Sequence, residues 1–131
     1  MATVYVSAAG AQETGVMPRF NNTLITDSTF YINENGLAYI VISYEGYPGI
    51  TSGAAITIQL EKKVLGLYWS TVDIGTPNNT WSYYSSDVSF THTHTYQLSS
   101  KGTYRVKINY TIYGSAGMPD EIEDVLTYKY S

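Results

Sequence analysis

The sequence predicts an all-β chain: seven to eight antiparallel strands forming two sheets closed over one core. Three observations carry this. Apolar residues recur at every second position between clusters of turn formers, the period of a half-buried strand. Tyrosine occurs 14 times in 131 residues, and Tyr and Thr both favour pleated, half-buried positions. No window sustains the i, i+3, i+4 apolar pattern of a helix. The closest, Met118 to Leu126, holds Pro119 and then Glu121-Ile122-Glu123-Asp124-Val125 without that spacing.

Taken in order, the first strong strand spans Leu24 to Ile32 and stops at Asn33-Glu34-Asn35-Gly36. The second, Leu37 to Glu45, is apolar on both faces, as strands central to a sheet are. Gly46-Tyr47-Pro48-Gly49 breaks it. Ala54 to Lys62 alternates cleanly, with Ile56, Ile58 and Leu60 on one face and Thr57, Gln59 and Glu61 on the other. Gly66 turns the chain into Leu67 to Ile74, and Gly75-Thr76-Pro77-Asn78-Asn79 is a loop dense in turn formers. Thr80 to Leu98 divides near Ser85-Ser86-Asp87. Its second piece puts Val88, Phe90, His92, His94, Tyr96 and Leu98 on one face. Lys101-Gly102 leads into Thr103 to Tyr113, with Tyr104, Val106, Ile108, Tyr110 and Ile112 on one face, and Glu121 to Tyr130 is the last strand. Helical crossovers are missing from this pattern, so antiparallel pairing is expected.

Residues 21–131 read as a single sandwich domain. Residues 1–20 form an N-terminal segment with two readings. Ala9-Gly10-Ala11 has the form of a signal-peptidase site, which makes it the trimmed end of a signal peptide. No Lys or Arg precedes Arg19, however, which favours a first strand over Thr3 to Ala8.

Bulk composition narrows the function classes. A hydrophobic fraction of 44% suffices for a core, while charged residues reach only 14%, well below the usual quarter or so. A net charge of −4 with one basic pair, Lys62-Lys63, argues against nucleic acid, which requires clustered cations. The longest apolar stretch, Leu37 to Ile42, is far too short to span a bilayer. The absence of cysteine excludes disulfides, thiolate metal sites and a Cys nucleophile. A surface built from Ser, Thr and Tyr points to a secreted or cell-surface location.

The segment Leu98-Ser99-Ser100-Lys101-Gly102-Thr103-Tyr104-Arg105-Val106 resembles the corner before strand F of immunoglobulin-like and fibronectin-like domains. There a Tyr hydroxyl reaches back to upstream backbone, and Tyr104 stands in that place. Val106 occupies the position where antibody domains carry a Cys. Together with Ile58-Gln59-Leu60-Glu61-Lys62-Lys63, Trp69 and Val72, the pattern is similar to small uncharacterised secreted β domains of Gram-positive bacteria. The resemblance covers Ile40 to Tyr113. It implies an immunoglobulin-like sandwich outside the cell and carries over no catalytic residue.

Four groups are candidates for chemistry. Trp81, Tyr83 and Tyr84, beside the Asn-rich loop, could present a stacking platform for sugar rings, and Trp81 and Tyr83 are expected to be exposed; Trp69 is assigned to the core, as one Trp of an immunoglobulin-like fold usually is. His92 and His94 point the same way in a strand, about 7 Å apart, close enough to share a metal. The chain has no other His or Cys to complete a zinc site, so they read better as partly buried, hydrogen-bonded residues. Asp120, Glu121, Glu123 and Asp124 could collect calcium but lack the calcium-loop pattern, and read better as carboxylates along an exposed or edge strand. Ser89, His94 and Asp87 make a triad only on paper, because alternation points Ser89 and Asp87 away from His94.

No known catalytic motif is present. The sequence therefore leads to a non-enzymatic extracellular or cell-surface interaction or structural module, without a cofactor. Its partner would be a protein or a glycan. Binding is expected through Thr76 to Tyr84, with Tyr47 to Thr51 and Ala116 to Asp120 as alternatives. A carbohydrate-binding module is the second reading, and a hydrolase with an unrecognised carboxylate pair the third.

Overall fold

A computed structural model describes residues 4–7 and 20–131. It is an all-β antiparallel sandwich of ten strand segments: β1 (Val4–Ser7), β2 (Thr23–Thr26), β3 (Thr29–Ile32), β4 (Leu37–Gly46), β5 (Thr51–Val64), β6 (Tyr68–Thr71), β7 (Thr80–Ser85), β8 (Ser89–Gln97), β9 (Gly102–Gly114) and β10 (Asp120–Tyr130). One sheet runs β1-β10-β9-β5, with β7 and β6 lying end to end along the far edge of β5. The other places β2 and β3 along one edge of β4 and β8 along its other edge. Ten segments thus fill eight strand positions. With β4 and β8 in one sheet and β5, β9 and β10 in the other, the strands are divided as in immunoglobulin-like sandwiches.

Alternation sets the core. Ile40, Ile42 and Tyr44 of β4 face Ile56, Ile58 and Leu60 of β5 and Val106, Ile108, Tyr110 and Ile112 of β9, all buried. The strand expected over Leu24 to Ile32 is broken between β2 and β3 at Asp27-Ser28. Ser28 turns fully inward there, where its hydroxyl bonds both the Asp124 carboxylate (2.7 Å) and the Tyr110 hydroxyl (2.6 Å). Buried polar atoms must be partnered, and the break delivers that partner.

Asp120 ties the two sheets together in the same way. Its Oδ1 accepts from the Asn21 N–H (2.9 Å), and its Oδ2 accepts from the Asn22 N–H (2.8 Å) and the Thr23 hydroxyl (2.5 Å). The reading of four acids along an exposed strand is therefore corrected. Asp120 and Asp124 are buried and point inward, while Glu121 and Glu123 lie on the opposite face. Strand alternation keeps the four carboxylates from converging on one cation.

At the β8–β9 turn the Tyr104 hydroxyl donates to the Ser100 carbonyl at 2.7 Å, closing the corner on itself. Trp69, expected in the core, is on the outer face. Its partner across the ladder is Lys63, which points outward, whereas Trp81 lies opposite the inward-pointing Ile58. The Arg105 guanidinium lies 4.4 Å and the Lys63 ammonium 5.5 Å from the Trp69 ring centroid. Arg105 also pairs with Glu61 at 2.6 Å. Trp69→Ala is accordingly expected to cost about 1 kcal/mol, the scale of an exposed cation–π contact, rather than the roughly 3–5 kcal/mol of a core tryptophan. Urea unfolding measures the difference.

Candidate functional site

The site forms where the edge strands of the two sheets meet. Trp81 and Tyr83 of β7 pair with Ile58 and Ile56, so they share the inward face of the first sheet. Across from them, Phe90, His92, His94 and Tyr96 of β8 pair with Tyr44, Ile42, Ile40 and Ala38 and share the inward face of the second. The rings interleave. Trp81 lies 4.1 Å from His94 and 5.1 Å from Tyr96, centroid to centroid. Tyr83 lies 4.5 Å from His92 and meets His94 edge-on at 5.8 Å. His92 stacks on Phe90 at an interplanar angle of 13°.

The candidates therefore separate. Trp81 and Tyr83 are brought together with both histidines, but they are half-buried and pack on the core rather than standing free. Tyr84, one residue on, points the other way and is 78% exposed. The triad residues Ser89 and Asp87 are both exposed and away from this inward face.

Electrostatics fix the protonation of the pair at the centre. Burial, and next the proximity of His92, hold His94 below the ordinary histidine value. Burial pushes the Tyr83 hydroxyl up. Tyr83 thus keeps its proton and shares a hydrogen bond with Nδ1 of a neutral His94, with the imidazole tautomer setting which of the two donates. That bond occupies one of the two His94 nitrogens, and no group of three or more His, Cys, Asp or Glu among the described residues is placed to hold a metal ion.

A folded-state pKa below the unfolded one means the unfolded chain takes up the proton first as pH falls. The stability that neutral His94 contributes is complete above about pH 6.5 and declines from there down to the lowered folded-state value. Chemical denaturation from about pH 7.5 to 6 should show this decline, and His94→Gln should remove it.

The loop before β7 is a built structure. Pro77–Asn79 forms a 3-10 turn, and Asn78 and Asn79 both take left-handed backbone angles (φ 57° and 51°), a region Asn tolerates better than most residues. The Asn79 side chain accepts from the Ile74 N–H (3.2 Å), Asp73 accepts from the Gly75 N–H (3.0 Å), and the Thr76 hydroxyl donates to the Thr80 carbonyl (2.6 Å). Beside this loop and the ring cluster is an open cleft of about 440 Å³, lined by Trp81, Tyr83 and His94 together with Thr76, Asn78 and Thr80. At the β7–β8 turn, the buried Tyr44 hydroxyl donates to the Asp87 carbonyl at 2.6 Å, which sets how the two strands approach.

The alternative surfaces at Tyr47 to Thr51 and Ala116 to Asp120 are hydrogen-bonded to the body beside exposed residues, Pro48 and Gly49 in one and residues 116–119 in the other. Ser115 N–H donates to the Ile50 carbonyl (3.0 Å), and Ala116 N–H donates to the Asn22 side chain (3.2 Å). Sequence reasoning placed His92, His94 and Tyr96 on one strand face but missed their meeting with Trp81 and Tyr83. The shared parity of Trp81 and Tyr83 puts them on one face of their strand but does not say which strand they meet.

No protein-family model matches this chain, and no curated protein is significantly similar to it. No helix among the described residues is long and apolar enough to cross a membrane.

Proposed function

We propose that this chain is a non-enzymatic interaction module of the cell surface or exterior, and that its ligand site is the cleft beside β7. The observation that carries this reading is one cleft lined by aromatic rings together with hydroxyl and amide groups. A saccharide has the matching chemistry. One apolar ring face lies on Trp81 or Tyr83, while hydroxyls at the ring edge bond Thr76, Asn78 and Thr80. The low charge and the Ser-, Thr- and Tyr-rich composition support a location outside the cell.

A glycan array tests it. A retained glycan should lose about tenfold or more in affinity in Asn78→Gly, which removes one rim hydrogen bond to a polar ligand without straining the left-handed backbone. Trp81→Phe should weaken it too, while Tyr84→Ala, on the other face, should leave it unchanged. Retention of no glycan, or a glycan indifferent to Asn78→Gly and Trp81→Phe, would overturn the saccharide reading.

A further inference from the structure

A second surface stands apart from the cleft. The hairpin joining β5 to β6 turns through Leu65 and Gly66, both left-handed (φ 54° and 66°), and closes with the Leu67 N–H donating to the Val64 carbonyl at 2.9 Å. Two consecutive left-handed residues suit Asn-Gly or Gly-Gly, and a branched leucine at the first is disfavoured. Leu65 is nonetheless there, 83% exposed, followed by Leu67 at 78% and Tyr68 at 56%. Among the described residues, nothing covers this tip. Both its backbone and its solvation oppose the leucine, so folding does not account for it.

The charges are arranged around the same tip. All six Lys and Arg among the described residues lie in strands or turns that approach this end of the first sheet. Lys62 and Lys63 enter the hairpin on β5; Lys101 precedes β9, and Lys129 lies near the end of β10, opposite Thr103. Lys63, Lys101 and Lys129 are exposed. Arg105 and Lys107 follow on the outer face of β9, opposite Glu61 and Gln59. The acids at this end are Glu61, which is paired with Arg105, Glu34 in the β3–β4 turn, and exposed Asp73, which follows β6 near the level of Lys107. In contrast, Glu45, Asp87 and Asp120 lie toward the far end of the sandwich. A chain of net charge −4 thus presents a cationic pole crowned by two leucines.

We propose that this pole docks on an anionic lipid surface, with Leu65 and Leu67 entering the headgroup region and the surrounding lysines facing lipid phosphates. Charge complementarity supplies the attraction, and burial of the leucines supplies a gain that a purely polar polyanion would not. A narrow two-strand tip suits shallow insertion.

Co-sedimentation of the full chain with vesicles tests this. Binding is expected to phosphatidylglycerol–phosphatidylcholine vesicles and not to phosphatidylcholine alone, and should weaken as salt rises. Leu65→Asn with Leu67→Thr should lower the affinity by at least about tenfold while keeping or raising the melting temperature, because Asn fits the left-handed turn. Lys63→Glu should also weaken binding. Failure to sediment with the anionic vesicles would overturn the proposal. So would equal binding by the leucine double variant, since charge alone would then explain the attraction.

Discussion

Replacing Asp120 with alanine should lower the unfolding free energy by about 4 kcal/mol, the scale for breaking a buried, multiply bonded carboxylate. Its carboxylate accepts from two backbone N–H groups and a hydroxyl on the segment entering β2, and the residue is only 6% exposed. Alanine leaves those donors without their acceptor, in a place water does not readily reach. The bonds also cross from one sheet to the other, so their loss frees the start of the second sheet as well. Asp120→Asn keeps one acceptor oxygen and should lie between wild type and alanine. Urea denaturation gives both values; a loss below about 1 kcal/mol for alanine would show that the carboxylate does not bridge the sheets.

Ile58→Ala comes next, at about 3 kcal/mol. Ile58 has no exposed surface and sits on β5 between Ile108 of β9 and Trp81 of β7. Truncation removes apolar contact and leaves a cavity that two flanking strands hold open. Ile58→Val, with one methylene fewer, should cost about 1 kcal/mol. Because Trp81 is its ladder neighbour, the same variant should loosen the wall of the cleft, and any ligand of the cleft should weaken along with stability. An alanine variant as stable as its parent would place Ile58 outside the core.

Much of the fold could be read in the sequence because alternation is a local signal. Ile56, Ile58 and Leu60 against Thr57, Gln59 and Glu61 marked the inner face of β5 directly, and the same parity marked β8 and β9. What alternation cannot supply is the partner strand. Trp69 and Trp81 look alike in sequence, since each sits in a short polar strand. Only pairing decides which face each presents: Trp69, expected in the core, faces outward across from Lys63, and Trp81 faces inward across from Ile58 and is half-buried. The break at Asp27-Ser28 was equally hidden, since it answers a carboxylate and a phenol distant in the chain. Asp120 and Asp124 looked like surface charge for the same reason. Their donors lie 96 to 99 residues away in the sequence.

The cleft was visible in part. Its aromatic residues and its Asn-rich loop stood out as composition. Their assembly depends on β7 and β8, edges of different sheets, coming face to face, and no local pattern encodes that meeting. The hairpin tip was the reverse case: the sequence marks Gly66 as a turn, but nothing in it shows that Leu65 and Leu67 stand exposed.

Nuclear Overhauser spectroscopy on the assigned protein tests the meeting of the two edges most directly. Cross-peaks should connect the Trp81 indole to the rings of His94 and Tyr96, and the Tyr83 ring to His92. A Trp81 indole in contact only with its own sheet, with no cross-peak to β8, would contradict the site.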